Sequence, residues 1–216
     1  MFVKHTEKLP RAFYQRNTLQ VARDLLGTYL VRRLPSGEIL RGRIVETEAY
    51  AGIYDPASHT YRDRRTERNE IWYGEGGFAY VYQIYGLYFC LGLITEPPSV
   101  PGAVLIRAVE LLSGRQALST NGESAPEAMA LSGVQRGDGP SKLCLAMQID
   151  RRCNGLDLCG DELFLEVGDT PCQFADVVFT PRINIDYAGA GALSYWRYYL
   201  RGSPAVSKKT YEPLRA

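Results

Sequence analysis

Three segments rich in aromatic and β-branched residues follow one another closely, and this feature most constrains the fold. They span Ala79–Tyr85, Tyr88–Ile94 and Val104–Glu110, with Gly86 and the turn at Pro97-Pro98 between them. Residues of these types favour strands, while glycine and proline mark turns. No helical pattern separates the segments as it would in parallel βαβ units. The order therefore predicts neighbouring strands of an antiparallel sheet.

The remaining segments add short helices and further strands. The predicted elements are a capped helix after Asn17, a hairpin of Tyr29–Leu34 and Ile39–Glu48, helices over Leu111–Leu118 and Gly139–Met147, and strands over Leu163–Val167 and Val177–Ile185. Residues 51–77 are predicted to form a long ordered loop, and loops of this length are often functional. Residues 119–139 are predicted to form a flexible surface loop. We therefore predict an α+β fold, a single domain over residues 1–216 with a curved, largely antiparallel sheet and flanking helices.

Apolar segments and cysteines restrict the class of protein. No apolar segment is long enough to span a bilayer, and the first residues lack the apolar stretch of a secretory signal. The five cysteines form no Cys-x-x-Cys pair and have no neighbouring histidine, which favours buried free thiols over a metal site or disulfides. We expect a cytoplasmic monomer that needs no metal or other cofactor and has no membrane partner.

Charge is unevenly distributed along the chain, although the formal net charge is only +1. Residues 1–70 hold 13 lysines and arginines against 9 acidic residues, and residues 197–216 hold 5 against 1. Residues 110–176 hold 5 against 11. If the two ends meet in the fold, they would form a basic face suited to phosphates. A solvated mixture of charges explains the pattern equally well.

Two glutamates and a tyrosine share one face of the strand that ends near residue 50. Because side chains alternate along a strand, Glu46, Glu48 and Tyr50 point the same way. Two carboxylates on an inward face are costly to bury without a purpose or a partner. The alternative to a catalytic site is a structural ion-pair network, for which the candidate partners are Arg41, Arg43 and Arg107.

Aromatic and basic residues nearby suggest contact with nucleic acid. Tyr85 precedes Gly86 at a turn and is expected to project outward, which suits insertion into a base stack. Four arginines between residues 62 and 68 follow Tyr61, and arginine beside tyrosine suits phosphate and base contacts. Ion pairs with Asp63 and Glu67 are the competing explanation.

Five motifs in this order resemble the alkyladenine, or 3-methyladenine, DNA glycosylase family. The motifs are Arg-Ile-Val-Glu-Thr-Glu-Ala-Tyr (43–50), Asp-Pro-Ala-Ser-His (55–59), Tyr-Val-Tyr-x-Ile-Tyr-Gly (80–86), Gly-Pro-Ser-Lys-Leu-Cys (139–144) and Tyr-x-x-Arg-Gly-Ser-Pro (198–204). The resemblance runs from about Ala22 to Ser207. Each motif alone is weak, but five in register are specific.

The resemblance implies a role for each matching residue. Glu48 matches the general base that activates water, and Arg107 matches the arginine that helps to hold the water and a phosphate. The walls that stack on the extruded base are matched by Tyr50, His59 and Tyr82, and the side chain that fills the gap in the duplex is matched by Tyr85. At Gly92, in the base pocket, this chain departs from the family's usual asparagine, which predicts a roomier pocket that admits alkylated guanines.

The predicted function is a monofunctional DNA glycosylase that flips alkylated or deaminated purines out of duplex DNA and leaves an abasic site. Water is the expected nucleophile because none of the five lysines lies in a pocket motif. Predicted contacts to the DNA backbone come from Arg62, Arg64, Arg65, Lys142, Arg201 and Ser203. Two alternatives are a non-catalytic module that binds damaged or bent DNA and a sugar hydrolase that uses Glu46 and Glu48.

Overall fold

A computed structural model describes residues 7–112, 137–169 and 172–207, and these residues are organised around one sheet. The strands are β1 (Tyr29–Arg33), β2 (Ile39–Tyr50), β3 (Ala79–Ile84), β4 (Tyr88–Ile94), β5 (Ala103–Leu111), β6 (Leu163–Glu166), β7 (Val177–Thr180) and β8 (Arg197–Leu200). The strand order is β3-β4-β5-β2-β1-β6, with β8 beside β2 and β7 beside β8. Every pairing within the described ranges is antiparallel. The prediction of an α+β fold with an antiparallel sheet is confirmed, and the extent of the domain stays a prediction.

Strand β2 holds the sheet together. Its first half pairs with β1 and its second half with β8. Along its other edge β2 pairs with β5, and the register shifts on both sides of Glu46. Such bulges bend a strand and re-aim its side chains. The chain therefore changes neighbours around Glu46 and Glu48, in the interior of the sheet.

Three short α-helices pack around the sheet in the described residues. They are α1 (Arg11–Tyr14), α2 (Thr18–Asp24) and α3 (Pro140–Ala146). As predicted, Asn17 caps α2, because its side chain accepts hydrogen bonds from the backbone N–H groups of Leu19 and Gln20. Helix α3 begins with a proline, which suits the first helical position because its missing N–H would have no partner there.

The segment predicted as one long loop, residues 51–77, contains three 3-10 helices. They span Gly52–Tyr54, Tyr61–Asp63 and Glu67–Tyr73, and three more lie at Arg151–Cys153, Phe174–Asp176 and Asp186–Leu193. Reciprocal hydrogen bonds between Thr66 and Asn69 begin the longest of the first three. Short-range capping of this kind orders the loop without a hydrophobic period that the sequence would reveal.

Two predicted elements differ from the structure. Strand β7 ends at Thr180 instead of continuing to Ile185, because Pro181 has no N–H to donate to a ladder. Leu111 is the last residue of β5 rather than the start of a helix. Leu112 lies in no helix or strand. Residues 113–118 of that predicted helix and residues 119–136 of the surface loop predicted at 119–139 lie outside the described residues.

The core is a layer of apolar side chains between the sheet and α2 and α3. Cys90, Cys144 and Cys153 are buried free thiols, and Cys159 and Cys172 are free and partly exposed. In the part of the chain that the structure describes, no helix is long and apolar enough to cross a membrane.

Candidate active site

A row of residues in register across four strands forms the base of the site. Tyr80 pairs with Gly92, Gly92 pairs with Leu105, and Leu105 pairs with Glu48. Neighbouring strands lie about 4.8 Å apart, so the backbone positions of Tyr80 and Glu48 are separated by roughly 14 Å. Gly92 has no side chain, and the row therefore has a gap between a tyrosine at one end and a carboxylate at the other.

A cavity of about 370 Å³ lies over this gap, within the range of small-molecule sites. Gly92, Cys90, Ala103 and Leu105 line it from the sheet. The other lining residues that matter for the site are Tyr50, His59, Trp72, Tyr80, Tyr82, Tyr85, Arg107 and Ile183. The structure therefore brings together all the residues predicted for the base pocket, together with Arg107 and the predicted intercalating tyrosine.

Glu48 is fully buried and is not among the residues that line this cavity, but three lining residues hold both of its carboxylate oxygens. Oε1 accepts a hydrogen bond from the Ile183 N–H at 2.8 Å and lies 3.3 Å from Nη1 of Arg107. Oε2 accepts a hydrogen bond from the Tyr50 hydroxyl at 2.9 Å. The carboxylate is therefore fixed in direction before any substrate binds.

Glu46 and two arginines form a buried ion-pair network behind Glu48. Nε of Arg107 and Nε of Arg197 donate to the same Glu46 oxygen, at 2.8 and 2.7 Å. Burial opposes ionisation of Glu46, but Arg107 and Arg197 hold its pKa below the ordinary range. Burial also opposes the charged form of Arg107, yet Glu48 and Glu46 raise its pKa. Glu46 and Arg107 thus remain charged within this buried network.

This network combines the two interpretations of the glutamates. Of the three proposed partners, Arg107 contacts both Glu46 and Glu48. The other two pair elsewhere, Arg43 with Glu110 and Arg41 with Glu166. Glu46 is therefore a structural ion-pair residue, whereas Glu48 contacts three residues that line the cavity, namely Tyr50, Arg107 and Ile183.

His59 stands among aromatic rings at the end of the cavity opposite Glu48. Its ring centre lies 5.1 Å from that of Tyr82, 5.8 Å from that of Tyr80 and 5.9 Å from that of Trp72. A hydrogen bond of 3.0 Å joins His59 Nδ1 to the Tyr80 hydroxyl. Burial among these groups, with a further contribution from the Arg68 cation, lowers the pKa of His59 to about 4. The imidazole is therefore neutral at neutral pH.

Tyr85 occupies the turn between β3 and β4 and is 86% exposed. Its φ of 50° and the φ of 69° at Gly86 put two consecutive residues in the left-handed region, which tight hairpin turns use. The predicted outward projection of Tyr85 is confirmed. Since Tyr85 also lines the cavity, the exposed ring stands at the cavity mouth.

The arginine cluster lies beside the cavity with its charges only partly paired. Arg64 and Arg68 line a second depression that shares His59 and Tyr80 with the cavity. Arg65 pairs with Glu70 rather than with Asp63 or Glu67.

Two further predicted phosphate contacts, Arg62 and Lys142, are exposed. The guanidinium of Arg62 lies 5.2 Å from the ring centre of Tyr61, and Lys142 pairs with Asp138 at 3.0 Å. Exposed pairs of this kind are weak and can exchange for a phosphate.

The remaining two predicted phosphate contacts lie elsewhere. Arg201 and Ser203 line a depression with Arg43 and Glu110, and among its described lining residues none belongs to the cavity. Ser203 is buried, and its hydroxyl donates to Glu110 at 2.6 Å. That placement does not favour the predicted phosphate contact of Ser203.

Sequence reasoning missed several residues that complete the site. Arg182 and Asp55 form a fully buried ion pair, and Ile183 supplies a hydrogen bond to Glu48. Residues 182 and 183 fall at the end of the strand predicted over Val177–Ile185, where no local pattern marks them as site residues. Asp55 falls inside a recognised motif, and its burial without a known partner was the available signal. Trp72 lies in the segment predicted as a loop.

The arrangement can bind a flat ring and act on a bond at one edge of it. Aromatic rings suit stacking on a planar base, and a fixed carboxylate can take a proton from water or stabilise a developing positive charge. This is the chemistry needed to hydrolyse a bond between a base and a sugar.

Comparison with known proteins agrees with this geometry. The sequence model of the methylpurine-DNA glycosylase family matches residues 12–204. A protein of Alkaliphilus oremlandii is 46% identical over 94% of this chain and all of its own length, and one of Methanocella arvoryzae is 48% identical over 93% and 96%. A protein of Clostridium novyi is 44% identical over 94% of this chain and all of its own length. All three bear the provisional name of a 3-methyladenine DNA glycosylase.

The family match covers most of the chain, and these relatives align along nearly their whole length. Members of such a family act on DNA in repair and cleave N-glycosyl bonds. The chain belongs to the methylpurine-DNA glycosylase family and is a DNA glycosylase, a hydrolase of N-glycosyl bonds.

Proposed function

We propose that this enzyme is a monofunctional glycosylase that extrudes alkylated or deaminated purines from duplex DNA into the cavity and leaves an abasic site. The observation that carries the proposal is the row in which Glu48 and the His59–Tyr80 pair stand at opposite ends of the gap at Gly92. A purine laid over Gly92 would place its sugar bond beside Glu48. A monomeric state and a cytoplasmic location stay predictions from the sequence.

Glu48 acts as the general base through its Oε2 atom. A carboxylate has about four acceptor positions, and among the described residues Oε1 meets two donors whereas Oε2 meets only the Tyr50 hydroxyl. Oε2 therefore retains the capacity to accept a proton from water. Arg107 holds Oε1 from the other side and adds positive charge near the water and a phosphate.

Tyr50, His59 and Tyr82 form the stacking walls for the extruded base. Purines alkylated at a ring nitrogen carry a positive charge, which electron-rich rings attract. The neutral state of His59 is consistent with this role, because an imidazolium would repel such a base. Neutral lesions bind by stacking alone.

A lyase mechanism is disfavoured because it needs an amine nucleophile in the pocket. Of the described lysines, neither Lys8 nor Lys142 lines the cavity. Both instead form ion pairs, with Asp161 and Asp138. The placement of these two lysines supports water activated by Glu48 as the nucleophile.

Excision assays test this proposal directly. Duplexes that carry one hypoxanthine, ethenoadenine or 3-methyladenine would be incubated with the protein and then treated with alkali, which cuts the strand at abasic sites. We expect cuts only after alkali. Cuts before alkali would indicate a lyase, and binding without any cut would support the non-catalytic alternative.

Affinity for DNA should fall steeply with salt, although the chain is nearly neutral. Each phosphate contact contributes a slope of about −0.9 to the plot of log affinity against log salt. Arg64 lines the depression beside the cavity and forms no ion pair with any of the described residues. We expect Arg64→Ala to flatten the slope by about one unit. Titrations of an undamaged duplex at several salt concentrations measure the change.

Arg33→Ala is the matched comparison and should leave the slope unchanged, since Arg33 is exposed but lines neither the cavity nor the depression beside it. Equal slopes for Arg64→Ala and the unmodified enzyme would remove the arginine cluster from the DNA-binding surface.

Gly92→Asn should make the pocket reject guanine-derived lesions. A Cβ at residue 92 would meet Tyr80 atoms at 3.4 Å, an ordinary contact, so the backbone accepts a side chain. The asparagine amide would then occupy the gap and oppose the exocyclic amino group of guanine. We expect excision of 7-methylguanine to fall roughly tenfold relative to hypoxanthine. Single-turnover rates on both lesions give the ratio.

Gly92→Ala is the control, because it adds the Cβ without the amide and should change the ratio little. An unchanged ratio in Gly92→Asn would mean that Gly92 does not set selectivity.

A further inference from the structure

Arg182 is a buried cation behind one wall of the base pocket. Its guanidinium carbon lies 4.8 Å from the centre of the Tyr50 ring and 5.0 Å from that of Trp196. Tyr50 lines the cavity, whereas Arg182 is not among the lining residues and its side chain is fully buried. The cation therefore covers the face of Tyr50 that is turned away from the cavity.

Asp55 holds Arg182 in place and balances its charge. The two side chains form paired hydrogen bonds of 2.5 and 2.8 Å, and Arg182 also donates to the carbonyl of Ala49. Asp55 accepts further hydrogen bonds from the N–H groups of Ala51 and Ala57. Burial opposes the charge of Arg182, but its hydrogen bonds to Asp55 raise its pKa. The guanidinium thus remains charged next to the aromatic wall.

The Arg182–Asp55 ion pair is connected to the carboxylate of Glu48 through the residue that follows Arg182. Ile183, the next residue after Arg182, donates its N–H to Glu48 Oε1, and the Tyr50 hydroxyl donates to Glu48 Oε2. Fixing Arg182 therefore fixes both the stacking ring and the orientation of Glu48. The proposed mechanism of excision assigns no role to the positive charge of Arg182.

A cation on one face of an aromatic ring changes what the other face attracts. The negative face of the ring draws cations, and a guanidinium behind the ring repels a second positive charge across it. Tyr50 backed by Arg182 should therefore favour a cationic base less than a bare tyrosine would. The carboxylate of Asp55 offsets part of this repulsion.

We propose that the Arg182–Asp55 pair is a positioning element that also sets the charge preference of the pocket, so that neutral purines compete with cationic alkylated ones. The pair does so through Tyr50, which contacts the base, and not by touching the substrate. This inference rests on the proposed function, because it requires the base to stack on Tyr50.

The test compares single-turnover excision of 7-methylguanine, which is cationic, with that of hypoxanthine, which is neutral, in the same duplex. Asp55→Asn leaves Arg182 without its counter-charge, and the ratio of cationic to neutral excision should fall about threefold. The double variant Asp55→Asn with Arg182→Met removes both charges, and the ratio should rise about threefold above that of the unmodified enzyme. A purely structural role would lower both rates equally and leave the ratio unchanged.

Arg182→Lys separates charge from geometry. Lysine keeps the positive charge but cannot form two parallel hydrogen bonds, so both rates should fall while the ratio stays near that of the unmodified enzyme. Thermal unfolding of each variant shows whether it folds, and if the double variant does not, Asp55→Asn and Arg182→Lys still decide the ratio. Equal ratios in all active variants would overturn the inference but leave the proposed function intact. An unmodified enzyme that excised neither lesion would overturn both.

Discussion

Glu48→Gln should lower the single-turnover rate of base excision by a factor of about 100 or more, the cost of losing a general base. Glutamine has the same shape, and its carbonyl oxygen can still accept from Ile183 and Arg107. Its amide nitrogen would then face the Tyr50 hydroxyl and could not take a proton from water. Glu46 continues to balance Arg107 and Arg197, so we expect the fold to survive.

DNA affinity is the measurement that isolates chemistry from binding in this variant. Affinity for a lesion-containing duplex should remain nearly that of the unmodified enzyme, since Glu48 is buried and contacts no phosphate in this proposal. Glu75→Gln is a suitable control, because Glu75 is exposed and does not line the cavity. A near-normal excision rate in Glu48→Gln would contradict the assignment of Glu48 as the general base.

The strands could be predicted from the sequence because each is encoded locally. The bounds predicted for the third and fourth strands differ from those of β3 and β4 by at most one residue. Alternation along β2 also predicted that Glu46 and Glu48 would share one face, and Arg107, one of three candidate partners, contacts both of them. The bulges at Glu46 shift the register without breaking this relation.

The contacts that complete the site could not be predicted, because they depend on distant segments. Arg197 reaches Glu46 only because β8 pairs with β2, across 151 residues of chain. Ile183 and Arg182 reach Glu48 and Asp55 from a loop that follows β7. No local pattern marks such residues, and a buried polar side chain becomes meaningful only when its partner is known.

The charge balance of the site explains why two glutamates can be buried side by side. Glu46 shares one oxygen between Arg107 and Arg197, and its other oxygen accepts from the Ser207 N–H. Arg107 is thus shared between the two glutamates, with its Nη1 atom 3.3 Å from Oε1 of Glu48. Glu46 thus compensates the arginines, and Glu48 is left with acceptor capacity for the reaction.

Tyr85→Ala should reduce excision from fully paired DNA by a factor of about 5 to 150, which corresponds to the ~1–3 kcal/mol of a stacking contact. The ring is 86% exposed at the cavity mouth, so removing it costs little folding energy. Alanine at a φ of 50° is about as strained as tyrosine. The loss should therefore come from the duplex, where no side chain would fill the space left by the extruded base.

Comparing excision rates on three DNA substrates tests whether Tyr85 fills the space that the extruded base leaves. Only in paired DNA does an extruded base leave a gap in the stack of base pairs. Tyr85→Ala should therefore impair excision less on a mismatched duplex and least on single-stranded DNA. Tyr85→Phe keeps the ring and should retain most of the activity. Tyr54→Ala is the matched control, since Tyr54 is equally exposed at 86% but does not line the cavity. Equal losses on all three substrates would mean that Tyr85 supports binding in general and does not hold the base out of the helix.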